Sequence, residues 1–397
     1  MKYLLKAVAK LIRLLSFGQL KYSRQVEGSA LYMDLSEKLW WGYKFYGSPI
    51  QEPQRGKKIR EHFQENPPIG FNEKALENIK PEELPSIRIA LGGDILPCAD
   101  LSEQLPEHLG DVLAFFQSGD IRCANLESPV LPTRPICMPP EDITAPPNMN
   151  NSPETVAFLL GNEDARQGIT VFSTANNHSM DQGIEGVLAT LDVLDELGAY
   201  HVGSARSVEE RDGLLIVEAK GFKIAFLSWT FSLNSHSLPQ DQEYLVNTLR
   251  INLPGIDLSP ITSQVAQAKR RGADAVVLCL HWGLEDESFP LASQIETAHR
   301  LAQSGIDIIC GNHPHALQPA ERYVWKDEDG DGWQQRESLI AYAFGDLLTP
   351  QPHLGLSRLS AIMELSLLRL PDGRVVIFDV SRKELLALED KKGRRKQ

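Results

Sequence analysis

From Ile87 onward, short apolar runs ending at glycine or polar turns alternate with longer stretches of helical period. This alternation is what most restricts the fold, because it calls for a largely parallel sheet covered by helices. SIRIALGGD reads as a strand entering a glycine turn, PEHLGDVLAFFQSG as a helix and IRCANLE as a second strand. SPETVAFLLGNEDARQG follows as a helix, ITVFSTANNH as a third strand, and GIEGVLATLDVLDELG as a strongly periodic helix closed by Gly198. LLIVEAKGFKIAFLSW has the pattern of a hairpin turning at Lys220-Gly221. ITSQVAQAKRRG and ASQIETAHRLAQSG are helices flanking the strand ADAVVLCLHWG. IDIICGNHPH, SLIAYAFGD and the pair LSAIMELSLLRL and RVVIFDVS complete the set. The fold class is α/β, and the hairpins add antiparallel edges to a mixed sheet or to two stacked sheets.

Metal-capable side chains recur where these strands end. Asp94 follows IRIALGG, Glu127 follows IRCANL, and Asn176, Asn177 and His178 follow ITVFSTA. His281 follows AVVLCL, and His313 and His315 follow IDIICGN. Open α/β sheets place ligand sites at the carboxyl ends of their strands. Taken singly, Asp94 after GG is an ordinary turn residue, NLE says little, and HWG reads equally as a packed His–Trp pair. NNH is stronger, because three polar side chains directly after an apolar strand are costly unless used. GNHPH is the strongest piece, with two histidines around a proline that stiffens the backbone. Together, imidazole nitrogens with carboxylate and amide oxygens suit one or two divalent ions of zinc, manganese or iron. Two such ions about 4 Å apart can clamp a phosphoryl group.

GGDILP, NLESPV, ANNHSMDQG, HWGLE and GNHPHALQP, in that order over roughly Ile87 to Leu348, resemble the CapA family of poly-γ-glutamate capsule biosynthesis proteins. That family is a branch of the calcineurin-like metallophosphatase superfamily. The resemblance implies a four-layer α/β/β/α sandwich with mixed sheets and a metal site at one rim. It further implies that Asp94 is a terminal ligand of one ion, that Glu127 stands at the bridging position, and that Asn177 binds the second ion. His281, His313 and His315 complete the ligand set, and His178 is the catalytic acid. Asn176, Asp181 and Glu285 are candidates for supporting roles. Two positions depart from the pattern. Leu96 stands where the superfamily has a histidine, and Asp346 replaces an asparagine in YAFGDL, where it either supplies a missing charge or, as the preferred reading, caps a turn. The implied activity is metal-dependent, phosphoesterase-like hydrolysis in capsule or poly-γ-glutamate-like polymer biosynthesis. The alternative is a non-catalytic metal-binding component of an envelope-polymer synthesis complex.

The remaining features bound partners and compartment. Hydrophobic residues at 42% and charged residues at 23% allow a sizeable core. A formal net charge of −13 argues against nucleic-acid binding, but a bound cation could still draw an anionic small-molecule or polymer substrate. The five cysteines form no CxxC pair and suit a reducing compartment. Residues 1–24 carry six basic and no acidic side chains, of which Lys2, Lys6, Lys10 and Arg13 follow a helical spacing, without the length of a spanning helix or the cleavage site of a signal peptide. A cytoplasmic protein is expected, with this helix either docked on its own domain or lying peripherally on the inner membrane surface. The chain thus divides into a basic amphipathic helix (1–24), an irregular extension packing on the domain (25–85), a CapA-like metallophosphatase domain (86–385) and a basic tail (386–397). Asp327, Asp329, Asp331 and Gly332 imitate the start of an EF-hand loop, but Ser338 stands where the closing glutamate belongs, so a hairpin is expected there.

Overall fold

The computed structural model describes residues 57–98, 110–138, 148–161, 168–234, 236–329, 332–349 and 359–386, with single short stretches at 35, 388–389 and 395–396. The basic segment 1–24 lies outside the described residues. In chain order the elements are α1 (Lys57–Glu65), β1 (Ser86–Ile95), α2 (Gly110–Gln117), β2 (Ile121–Leu126), α3 (Pro153–Leu160), β3 (Ile169–Ser173), α4 (Gly183–Glu196) and β4 (Tyr200–Val202). There follow α5 (Val208–Gly213), β5 (Leu215–Ala219), β6 (Phe222–Thr230), α6 (Ser259–Arg270), β7 (Ala275–His281), α7 (Ala292–Gln303) and β8 (Ile308–Asn312). The chain continues through β9 (Ala320–Asp329), β10 (Gly332–Ala341), β11 (Asp346–Leu348), β12 (Leu359–Arg369) and β13 (Val375–Leu386).

These strands form two mixed sheets. The first runs β13-β12-β1-β2-β3-β4, with β11 also pairing to β1; the second runs β5-β6-β7-β8-β10-β9. Parallel pairing joins β1 through β4 and β6 through β10, while β12, β13, β5 and β9 add antiparallel edges. The period of two along each strand sorts side chains between layers. Ile87, Ile89, Leu91, Ile121 and Cys123 of the first sheet meet Ile224, Phe226, Val277, Cys279, Ile308 and Cys310 of the second in one core between the sheets. Ala90, Ala124, Leu126 and Phe172 face the other way, against Val156, Leu159 and Leu194 of α3 and α4. Ala225, Leu227, Val276, Leu278 and Ile309 pack outward against Ile261, Val265, Ala298 and Leu301 of α6 and α7. Three apolar interfaces between four layers make the α/β/β/α sandwich.

Turn chemistry agrees. Lys220 (φ +50°) and Gly221 (φ +79°) both lie in the left-handed region, as the two-residue turn of the β5–β6 hairpin requires. The acidic run at 327–332 lies on the β9–β10 hairpin, where Gly332 pairs with Asp329, with Asp331 outside the described residues. Within 25–85 the described residues include one regular helix, α1, whose Phe63 packs on the outer face of the second sheet, edge-on to Tyr342 at 5.5 Å. At the other end, residues of the basic tail pair as two short strands, Leu388–Glu389 with Arg395–Lys396.

Candidate metal centre

The carboxyl ends of β1, β2, β3, β7 and β8 converge on one rim of the sandwich. Asp94 and Glu127 are fully buried there, His313 is too, and His281, Asn176, Asn177 and His315 nearly so. The donor atoms of Asp94, Glu127 and His281 lie within 4.8 Å of one another, as do those of Glu127, His313 and His315, and those of Asp94, His315 and Asp346. The overlapping triads define adjoining positions that share Asp94 and Glu127. Oε1 of Glu127 is 3.3 Å from Nε2 of His281 and 3.6 Å from Nε2 of His315. Nδ1 of His281 and of His315 stand 3.9 and 3.8 Å from the two Asp94 oxygens. Asn177 enters through its Oδ1, 2.8 Å from Nε2 of His281.

The backbone that delivers these groups is under local constraint. His313 (φ +97°) and His315 (φ +51°) both occupy the left-handed side of conformational space, on either side of Pro314. Non-glycine residues held there cost about 1–3 kcal/mol each and persist where surrounding structure over-determines them. The Asp94 carboxylate helps: its Oδ2 accepts from the backbone N–H of His313 at 3.0 Å. Gly93 is required by close approach, since a Cβ there would sit 1.7 Å from the carbonyl oxygen of Gly345. That approach seats β11 beside β1 with Asp346 opposite Asp94.

Asp346 therefore does not cap a turn. Its Oδ1 lies 2.8 Å from Nδ1 of His315, inside the cluster. Leu96, at the superfamily's histidine position, is a buried apolar residue whose N–H donates to the carbonyl of Leu348. His178 stands at the margin, half-buried, with Nδ1 2.8 Å from Oδ2 of Asp181. Asp181 is in turn fixed by the N–H of Met149. Asn176 serves the backbone, donating to the Leu126 carbonyl and accepting from the His178 N–H. Glu285 is only partly buried and acts on Glu127 through its charge.

Several residues of the rim were not picked out as candidates from the sequence. Asn125 donates to Asp94 Oδ1 at 2.7 Å and reaches Nδ1 of His281 at 3.2 Å. Asn234 bridges Asn177 (3.3 Å) and His178 (3.4 Å), and Phe231 lies against His313 with ring centroids 4.6 Å apart. The available signal for Asn125 was its place at the head of NLESPV, two residues before Glu127. For Asn234 and Phe231 it was that β6 ends at the same rim.

The electrostatics are those of a cation site. Burial pushes Asp94 up to about 6 and Glu127 well above the ordinary carboxylate range. Burial also pushes His281 well below its usual value, with His313 and His315 adding to the effect, so its imidazole is neutral and able to coordinate. For His315 burial acts downward, but Glu127, Asp346 and Asp94 outweigh it and hold it well above the usual range. Neither oxygen of the buried Glu127 accepts a hydrogen bond within the protein, and Oδ2 of Asp346 does not either. Buried carboxylate oxygens without donors are costly. A divalent ion among nitrogen and oxygen donors supplies what they lack, and the residues present fit one.

The fold and rim define an α/β/β/α sandwich with a buried cluster of histidine, carboxylate and amide donors at one edge. The family model for "Bacterial capsule synthesis protein PGA_cap" matches residues 88–351, more than half of the chain, and the chain belongs to that family. It is 24% identical over 287 residues to "Capsule biosynthesis protein CapA" of Bacillus anthracis, covering 70% of this chain and 63% of that one. It is 28% identical over 212 residues to "PGA biosynthesis protein CapA" of Bacillus subtilis (strain 168), covering 52% and 50%. The chain thus spans less than two thirds of the length of these curated relatives. Among solved structures, the NAD nucleotidase NadN of Haemophilus influenzae is similar, with a TM-score of 0.41 at 14% identity, covering 79% of this chain and 60% of that one.

Proposed function

We propose that this chain is a metal-dependent hydrolase of the CapA type, phosphoesterase-like, serving biosynthesis of a capsule or poly-γ-glutamate-like polymer. The observation that carries the reading is Glu127: a fully buried carboxylate, both oxygens without hydrogen-bond donors, shared between His281 on one side and His313 and His315 on the other. Asp94, Glu127, His281, His313 and His315, with Asn177 and Asp346, would hold one or two ions of zinc, manganese or iron. Bound there, a divalent ion supplies Lewis-acid polarisation of the scissile group and a more acidic water. The chain's own residues orient and protonate. Asn125 holds Asp94 and His281 in register, and Asn234 does the same for Asn177 and His178. Asp181 at Nδ1 fixes the ring of His178. His178 gives a proton to the departing oxygen as water attacks, and regains one from that water. An anionic small molecule or polymer is the matching substrate class and nucleic acid is not, with the work done in the cytoplasm or at the inner membrane surface. Among the described residues no helix is long and apolar enough to cross a membrane.

Leu96, in place of a ligand histidine, favours a second reading: a metal-binding, non-catalytic component of an envelope-polymer synthesis complex. Metal content and turnover of a chromogenic phosphodiester, measured on wild type and His178→Ala, separate the two. The hydrolase reading expects unchanged metal and turnover lower by about 10²–10⁴-fold in the variant. Metal without turnover in either protein would leave the non-catalytic reading standing, whereas equal turnover in both would keep the hydrolase and remove His178 as its acid.

A further inference from the structure

Away from the rim, on the helix-covered outer face of the second sheet, a second group of metal-capable side chains meets. His62 of α1, His299 of α7 and Glu321 of β9 bring their donor atoms within 4.8 Å of one another. Nε2 of His62 is 2.5 Å from Oε2 of Glu321, and Nε2 of His299 is 2.9 Å from Oε1. Both imidazoles therefore present the same nitrogen to one carboxylate. Glu321 is fully buried, whereas the side chains of His62 and His299 are 27% and 22% exposed, so solvent reaches the histidine side of the group. The surroundings hold the donors in place. Tyr342 donates its hydroxyl to Glu321 Oε1 at 2.6 Å, and Tyr323 stacks on His299 with centroids 3.9 Å apart and planes 8° from parallel. Gln303 pins the Tyr323 hydroxyl at 2.8 Å.

We propose that His62, His299 and Glu321 form a second metal site, for zinc or a similar late first-row divalent ion, with a fourth position open to water. Two imidazoles and a carboxylate are a well-suited zinc donor set, and a tyrosine hydroxyl on the carboxylate is the kind of outer partner that orients a ligand. Zinc with bonds of about 2.0–2.1 Å would space tetrahedral donors by roughly 3.3 Å, so it asks the two rings to draw back by less than about 1 Å. Their partial exposure leaves room for that. The consequence is mechanical: α1 is joined to the domain through His62, so the ion fastens the segment before β1 to the second sheet. Binding energy at such a site becomes docking energy for α1.

The test uses the full chain, stripped of metal and then dialysed against zinc, comparing wild type with His62→Ala/His299→Ala. The expected result is one zinc equivalent fewer in the variant, with the rim's equivalents retained; equal zinc in the two proteins, both folded by circular dichroism, overturns the site. Because the readout is a difference, it stands whether or not the rim binds metal or turns over substrate. Should the double variant fold poorly, His62→Gln carries the test, since it alters only a half-exposed residue of α1. Zinc should then slow tryptic cleavage at Lys57, Lys58 and Arg60 several-fold in wild type and leave His62→Gln unaffected. Equal protection in both, or none in wild type, overturns the proposal.

Discussion

Substituting Asp94 with asparagine tests whether the rim is built around a missing cation. Burial is the largest cause holding this carboxyl at about 6 instead of its ordinary 3.8. A folded-state value above the unfolded one means that the folded protein keeps its proton longer. The associated stability is fully present below pH 3.8 and is lost as the pH rises through 6. At roughly 1.4 kcal/mol per factor of ten, the loss above pH 6 is about 3 kcal/mol, of which about 2 kcal/mol falls between pH 4.5 and 7.5. The asparagine side chain would carry no charge, but it offers one acceptor oxygen to two donors, the Asn125 amide and the His313 N–H. That mismatch costs about 1–3 kcal/mol and is independent of pH. The informative quantity is therefore the slope. Urea denaturation with chelator present, at pH 4.5 and 7.5, should show wild type losing about 2 kcal/mol more than Asp94→Asn over this range. His281, held below its usual value, titrates in the opposite direction in both proteins and drops out of the difference. Adding zinc or manganese at pH 7.5 should restore wild type far more than the variant. Parallel pH curves for the two metal-free proteins would refute the reasoning.

Removing Asn125, which positions Asp94 and His281, should weaken metal affinity by about 10–100-fold in Asn125→Ala, as isothermal titration would read, and cost about 1–3 kcal/mol of stability by stripping a donor from buried Asp94. Gly93→Ala drives a methyl group into the Gly345 carbonyl; separating β11 from β1 should cost at least about 3 kcal/mol in chemical denaturation and lower the metal content with it. At the opposite edge, Arg369 of β12 grips Asp274, just before β7, through two bonds of 2.9 and 2.8 Å, while Asp274 also accepts from the Lys223 N–H at 2.7 Å. Asp274→Ala should lower stability by about 1–2 kcal/mol without changing metal content, a discounted figure because the pair is partly exposed.

Most of the sandwich was legible because its strands are buried on both faces and read as apolar runs. VVLCLH and DIICGN became β7 and β8, and the helix closed by Gly198 ends there with that glycine at φ +73°. What escaped was short or polar. Three-residue β4 and β11 cannot show a period. The helix read through residue 168 ends at Leu160, where Gly161 at φ +84° closes it. In the candidate site, ligand positions that sit directly after apolar strands were readable as residue types out of place. For Asp346 the sequence left a choice between a charge at the site and a turn cap, because β11 follows a close backbone approach at Gly93 and Gly345 that no local pattern encodes. His62 was missed for a similar reason: nothing within 25–85 marks a histidine whose partners lie more than two hundred residues away.

The two sheets contribute unlike halves to the rim. Asp94, Glu127, Asn177 and Asp346, all oxygen donors, belong to the first sheet and its loops; His281, His313 and His315, all nitrogen donors, belong to the second. Neither sheet by itself carries a coordination site, and most of the oxygen donors lie more than a hundred residues before the histidines. An ion placed there is a keystone between them. Metal uptake at the rim must then wait until both sheets have closed on their common core, so a loaded rim certifies a finished fold, and a chain stalled with one sheet formed cannot fill this centre prematurely.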